Sequence, residues 1–142
     1  MEDVRKSRLF KNLSRKDKIK LATLSARLRE LTSEIESLRK LLEQLEELRQ
    51  THRKNASAEG IDATSLQTDR WYLTRIEQEA EMVQNRYDFK LAEVEPLKAK
   101  ILKVSYHKKR TDEMADQLKL TVRNKRFDKE LAALPGRSVT KR

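Results

Sequence analysis

Leucine and isoleucine recur in the first third of the chain at alternating intervals of three and four residues. This spacing keeps the apolar side chains on one stripe of a helix and is typical of a coiled coil. Val4, Phe10 and Leu13 continue the stripe more loosely among basic residues. The pattern predicts a first helix over about residues 5–54, roughly 75 Å long at 1.5 Å per residue. The regular positions are Leu21, Leu24, Leu28, Leu31, Ile35, Leu38, Leu42 and Leu45.

The heptad pattern breaks over residues 55–64, and this segment is predicted to be the loop between two helices. Asn55 or Gly60 can adopt the left-handed conformation that often ends a helix. Thr64 followed by Gln67 matches a capping box, in which a hydroxyl residue and a glutamine three positions later begin the next helix. The sequence therefore predicts one turn and a second helix that begins at about residue 65.

A second apolar stripe follows the loop, with one irregular interval near Leu91 that relaxes supercoiling locally. It predicts a helix over about residues 65–133, kinked near Pro96, because proline cannot donate a backbone hydrogen bond. A basic tail over residues 134–142 completes the chain. The stripe comprises Leu73, Ile76, Ala80, Val83, Tyr87, Leu91, Val94, Leu97, Ile101 and Val104.

Two apolar stripes in one chain bury each other most simply in a hairpin. We therefore predict an all-α fold, an antiparallel two-helix coiled-coil hairpin that forms a single domain over residues 1–142. The alignment places Leu42 opposite Ile76 and residue 117 opposite residue 1, although a register one heptad away satisfies the same pattern. Residues 118–142 would then form an overhanging basic C-terminal helix and tail.

Composition agrees with a few long helices. Of 142 residues, 39% are charged, two are glycine and two are proline, so residues that favour turns are scarce. The net charge of +10 is concentrated at the ends: residues 1–20 hold eight Lys or Arg against three Asp or Glu, and residues 101–142 hold twelve against five. Basic blocks of this kind indicate a polyanion or an acidic protein surface as the partner.

Residues that could support catalysis are few. The chain has no cysteine, and His52 and His107 are its only histidines, which the hairpin places far apart, with His107 near residue 11. We find no nucleophile beside a base, no phosphate-binding glycine loop and no metal-binding motif. We therefore expect no enzymatic activity, no catalytic, cofactor-binding or metal-binding residues, and no small-molecule substrate. Without a signal-like segment or an apolar run long enough to cross a membrane, a cytoplasmic location is expected.

A basic leucine zipper is an alternative, because leucines at positions 24, 31, 38 and 45 recur every seven residues after a basic segment. In such proteins a continuous basic helix carries Asn and Arg side chains to the base edges. Here Asn12 is followed by Leu13-Ser14-Arg15, without the small residues that accompany that asparagine, and a second stripe competes for the seam. Sequence-specific DNA binding is therefore disfavoured, while salt-sensitive binding to nucleic acid stays open.

Trp71 and Tyr72 form an aromatic pair near the start of the second helix. Aromatic residues close to an exposed loop either fill the end of the coiled coil or anchor a protein partner. A basic first helix, Ala58-Glu59-Gly60-Ile61 in the loop and Arg70-Trp71 at the start of a charged second helix together resemble the FliJ family of flagellar export proteins. The YscO-like stalk proteins of virulence-type secretion systems are similarly built, so the sequence leaves both kinds of apparatus open.

The resemblance implies a coiled-coil hairpin shaped like the rotor stalk of a rotary ATPase. Family members insert the end that bears both termini into the hexameric ring of the export ATPase, contact the membrane-embedded export gate and handle export chaperones. We therefore expect a stalk and chaperone-escort component of flagellar type III protein export, located in the cytoplasm at the export apparatus. The alternative is a basic coiled-coil adaptor that binds nucleic acid or another acidic partner.

Two sets of residues are the candidates for partner binding. For the gate, the family's apolar stripe and its flank correspond on the loop side to Trp71, Tyr72, Leu73, Arg75, Ile76, Ala80 and Val83. For the ATPase ring, the basic candidates are Arg5, Lys6, Arg8, Lys11, Lys119, Arg123, Lys125, Arg126 and Lys129.

Overall fold

A computed structural model describes residues 2–57, 60 and 62–134. They form two long helices, α1 (Glu2–Ser57) and α2 (Ala63–Ala133), that pack against each other, and these described residues contain no strand. The predicted all-α hairpin is confirmed. α1 begins three residues before the predicted start and ends three residues after the predicted end. α2 continues without interruption through Pro96.

An aspartate in the turn between the helices caps the N-terminus of α2. Gly60 has φ +80°, a conformation that favours glycine. The backbone N–H of Ser65 donates a 2.7 Å hydrogen bond to Oδ1 of Asp62, which lowers the pKa of Asp62. The predicted capping box of Thr64 and Gln67 is therefore wrong, because Asp62 takes the N-cap position two residues earlier. Of the two residues predicted as able to end the first helix in the left-handed conformation, Gly60 has a positive φ, whereas Asn55 lies inside α1. Ala58, Glu59 and Ile61 lie outside the described residues.

Contacts divide the chain into two units: a loop unit, residues 26–99, and a terminal unit, residues 1–25 together with 100–142. The core of the loop unit contains Leu31, which is fully buried, with Ile76 and Val83 also buried. These residues belong to the two predicted apolar stripes. No helix among residues 2–57 and 63–133 has an apolar stretch long enough to cross a membrane.

The seam of the loop unit includes Lys90 instead of Leu91. Leu91 is 41% exposed, whereas Lys90 is half-buried and its Nζ lies 2.8 Å from a carboxylate oxygen of Glu34. The ammonium of Lys90 lowers the pKa of Glu34. With Lys90 in the stripe, the intervals from Val83 through Tyr87 to Val94 keep the heptad spacing. The irregular interval predicted at Leu91 is therefore wrong, because a paired lysine occupies the seam position.

Pairs of charged residues also fix the register of the helices within the loop unit. Arg27 Nη2 lies 3.1 Å from Oε2 of Glu93, whereas the predicted register placed residue 91 opposite Arg27. His52 lies beside Asp69, and the prediction placed residue 66 there. The helices are antiparallel as predicted, and α2 is displaced by a few residues from the predicted alignment.

Most of the buried residues of the terminal unit are polar. Ser7, Asp17 and Thr111 are buried there, and Ala115 is the buried apolar residue among those described. Nδ1 of His107 lies 2.5 Å from Oδ2 of Asp17, so the prediction that His107 pairs near residue 11 is wrong. Polar groups thus occupy positions in this unit that apolar residues fill in the loop unit.

Contacts in the terminal unit show that α2 extends past α1 by fewer residues than predicted. Nζ of Lys125 lies 2.5 Å from Oδ2 of Asp3, whereas the predicted register placed residue 117 at the start of α1. The segment of α2 from residue 118 to 125 therefore lies alongside α1 and does not overhang. The part of α2 that extends past α1 is correspondingly shorter.

Candidate partner-binding surfaces

An aromatic cluster lies on the loop unit near the start of α2. The ring of His52 stacks on Tyr72 at 5.0 Å between centroids with a 19° interplanar angle, and Trp71 meets Tyr72 edge to face at 5.1 Å. Nδ1 of His52 lies 2.9 Å from Oδ1 of Asp69, so the aspartate orients the imidazole. The cluster is partly accessible, since Trp71 is 62% exposed. Trp71 therefore contacts the cluster through Tyr72 and remains available to a partner.

The seven loop-side candidates fall into three groups. Trp71 and Tyr72 are exposed, and Arg75 is exposed with a 3.7 Å ion pair to Glu79. Leu73 and Ala80 are half-buried, whereas Ile76 and Val83 are buried. A partner could reach the first group without separating the helices. The buried pair belongs to the core of the unit.

Met82 and Phe89 are among the exposed apolar residues of α2 that the sequence analysis did not single out. Met82 is 53% exposed and Phe89 is 67% exposed. They follow each other at an interval of seven residues, outside the seam that contains Val83 and Lys90. The sequence could have shown them, because two apolar residues seven positions apart, outside both predicted stripes, lie on the same exposed face of a helix.

The terminal unit has a groove of about 930 Å³ between the first turns of α1 and the last turns of α2. Val4 and Val122 contribute apolar surface, and Lys125 pairs there with Asp3. That ion pair lowers the pKa of Asp3. The groove is lined by Glu2, Asp3, Val4, Arg5, Arg8, Val122, Lys125, Arg126 and Lys129. Two acidic and five basic residues face it, so it carries a net positive charge.

The structure brings together five of the nine predicted basic residues. Arg5, Arg8, Lys125, Arg126 and Lys129 line the same groove, whereas Lys6 and Lys11 of α1 do not line it. Lys119 and Arg123 lie along a smaller groove of about 350 Å³ on α2 with Arg126, Phe127 and Glu130. The charge of both ends of the sequence is thus combined on one unit.

Asp112 is the centre of a hydrogen-bond network inside the terminal unit. It accepts hydrogen bonds from the Ser14 hydroxyl on α1 and, at 2.7 Å, from the Lys108 ammonium one turn away. Both donors lower the pKa of Asp112, with Lys108 the larger influence. The network connects the two helices through polar groups, and charge-assisted hydrogen bonds of this kind are stronger than neutral ones.

The two histidines are each paired with an aspartate on the opposite helix, His52 with Asp69 and His107 with Asp17. Within residues 2–57, 60 and 62–134, no group of three or more His, Asp or Glu side chains is arranged to hold a metal ion. Each histidine therefore connects the helices in its own unit.

Comparisons with models of known protein families, with curated proteins and with solved structures find no significant match to this chain.

Proposed function

We propose that this chain is a stalk and chaperone-escort component of a bacterial type III protein export apparatus, of the flagellar kind. The observation that carries the proposal is the basic groove of the terminal unit, where cations from both ends of the sequence converge. Lys125 pairs with Asp3, and Arg5, Arg8, Arg126 and Lys129 have no carboxylate partner among the described residues. Four cations around one groove would attract a strongly acidic surface.

The proposed partner of the groove is the hexameric export ATPase. A stalk whose two helix ends enter a ring needs a surface formed by both helices, and the groove combines side chains of α1 and α2. Electrostatic attraction of this kind accelerates association and makes it sensitive to salt. The resemblance to the FliJ family, carried by the basic first helix and Arg70-Trp71, supports the same assignment.

The exposed aromatic cluster of the loop unit is the proposed contact for the membrane-embedded export gate or an export chaperone. Tyr72 stacks on His52, which pairs with Asp69, and Trp71 meets Tyr72 edge to face. Side chains that are already packed in this way lose little freedom on binding. Arg75 lies one turn further along the same helix. In this proposal the protein acts in the cytoplasm, at the export apparatus, without catalysing a reaction.

The proposal is tested by measuring the binding of the purified chain to the export ATPase of the same organism at increasing salt. We expect the association rate to fall steeply with ionic strength, because charge steering is screened. The double variant Arg126→Glu/Lys129→Glu should bind about tenfold or more weakly. The matched control Lys103→Glu/Lys109→Glu makes the same change of charge at exposed positions of α2 outside the groove.

If both double variants lose the same affinity for the ATPase, net charge alone is responsible, and a role for the groove is contradicted. If the ATPase does not bind while single-stranded RNA or duplex DNA does, with the same dependence on Arg126 and Lys129, the alternative of a basic adaptor for nucleic acid would replace this proposal.

A further inference from the structure

A terminal stripe of mostly apolar residues runs along the last turns of α2 and ends at the residue after the helix. Its positions are Leu120, Asn124, Phe127, Leu131 and, just past Ala133, Leu134, at intervals of four, three, four and three residues. Leu120 and Phe127 are each 59% exposed, Leu134 is also exposed, and Leu131 is half-buried. The intervals are those of a coiled-coil seam with asparagine at one inner position.

The stripe lies on a different face of α2 from the residues that meet α1. Val122 and Lys125 line the groove shared with the start of α1. At about 100° of rotation per residue, Leu120 and Phe127 lie on nearly the opposite side of the helix from them. A partner could therefore cover the stripe while the terminal unit keeps its own contacts.

We propose that the occupant of this stripe is a second copy of the same chain, aligned in parallel. Asn124 would then meet Asn124 of the second copy, and an asparagine at such a position selects a paired register in two-stranded coiled coils. Leucine meets leucine and Phe127 meets Phe127 on either side of it. An interface that pairs each residue with its own copy has the twofold symmetry of most homodimers.

Charge complementarity supports the parallel arrangement. With Asn124 at an a position and Phe127 at a d position, Arg123 occupies the preceding g position and Asp128 the following e position. In a parallel pair, the g residue of one helix faces the e residue of the next heptad of the other helix. Arg123 would therefore meet Asp128 of the second copy, and the symmetry forms this attraction twice.

The stripe extends over about two heptads, so the area it buries lies below the roughly 1,200–2,000 Å² of a stable interface. The dimer therefore forms at high protein concentration. Because α2 is already helical through Ala133, the pairing does not have to nucleate a helix, and this reduces its free-energy cost. The inference does not rest on the proposed function, because Leu120, Asn124 and Phe127 are not among the residues that line the basic groove.

Sedimentation equilibrium of the full chain over a wide concentration range tests the dimer. We expect the apparent mass to rise from that of one chain towards that of two, and Phe127→Asp to keep it at one. The control Leu102→Asp changes an even more exposed leucine of α2, at 72%, outside the stripe, and should self-associate like the original protein. A single-chain mass at every concentration, or a dimer that survives Phe127→Asp, would overturn the proposal.

Cysteine crosslinking tests the alignment, since the natural chain has no cysteine. Asn124→Cys should form a disulfide-linked dimer under mild oxidation. An antiparallel pair would instead place Leu120 beside Leu131, so a mixture of the single variants Leu120→Cys and Leu131→Cys would give mixed dimers. Preferential formation of these mixed dimers, with little linkage through position 124, would refute the parallel arrangement.

Discussion

The carboxylate of Asp17 lies 2.5 Å from the imidazole of His107, although 90 residues separate them in the chain. The side chain of Asp17 is 8% exposed, and a buried carboxylate without a partner is costly. In the register predicted from the apolar pattern, Asp17 would face residue 101, an isoleucine. The pair therefore favours the observed alignment of the helices in the terminal unit over that one.

The observed register predicts which cysteine pair can crosslink within one chain. Ser14→Cys combined with Asp112→Cys should form an intramolecular disulfide, because these short side chains are hydrogen-bonded to each other. Ser14→Cys combined with Val104→Cys represents the register predicted from the sequence and should not. Electrophoresis without reducing agent distinguishes the linked chain, and efficient linkage of the second pair would contradict the alignment described above.

Leu31→Ala should be the most damaging truncation in the loop unit. Leu31 is fully buried, and removal of a buried leucine side chain costs about 2–5 kcal/mol. Urea unfolding of the variant measures the loss of the free energy of unfolding. Ile35→Ala, at a half-buried position, should cost less, and Leu102→Ala at an exposed position should have little effect. Equal losses at 31 and 102 would contradict the assignment of the core.

Acid should weaken the terminal unit in part through Asp112. Lys108 and Ser14 hold its pKa in the folded chain below the ordinary value of 3.8. A carboxyl whose pKa is lowered by folding stabilises the fold above its unfolded value, and this contribution is lost as the pH falls through the folded value. We expect Asp112→Asn to lower the melting temperature at pH 7 and to reduce its dependence on pH below about 4.

Thermal unfolding followed by circular dichroism at pH 7 and in acid measures this difference. Asp116→Asn is a control that changes a neighbouring exposed aspartate. The prediction fails if the melting temperature falls by the same amount from pH 7 to acid in the original chain and in Asp112→Asn.

Trp71→Ala should remove much of the affinity for the proposed gate or chaperone partner and leave the fold unchanged. An anchoring aromatic residue at an interface contributes about 2 kcal/mol or more, and Trp71 is 62% exposed, so its loss creates no cavity in the core. Calorimetry measures the affinity, and circular dichroism checks the helix content. Tyr106→Ala is the matched control, because Tyr106 is an aromatic residue as exposed as Trp71 but lies in the terminal unit, away from the aromatic cluster. Full affinity after Trp71→Ala would exclude the cluster as the contact.

The hairpin could be predicted because the heptad intervals of leucine and isoleucine from Leu21 to Leu45 are long and regular. The register could not, because apolar stripes that repeat every seven residues fit each other at several offsets. Polar contacts decide between these offsets, and they depend on which side chains meet. Arg27 with Glu93 and Asp17 with His107 are examples.

Single seam positions were difficult for the same reason. A search for apolar residues selects Leu91, yet Lys90 is half-buried beside Glu34, with its ammonium paired. Similarly, Thr64 satisfied a capping pattern, but the position of the turn at Gly60 makes Asp62 the capping residue. The basic residues of the groove could be recognised from their charge. Which of them face the groove could not be predicted, because that depends on how each helix is rotated against the other.

The polar seam of the terminal unit should also determine how often its helices separate. Hydrogen-bonded and ionic side chains bury less apolar surface than leucine does, so local opening costs less free energy there. Backbone amides around Asp17 and Thr111 should therefore exchange with deuterium faster than those around Leu31, by transient separation while the loop unit remains closed. A partner that binds both α1 and α2 at the groove would keep the helices together and slow this exchange. Its binding could therefore be detected at backbone amides that it does not contact.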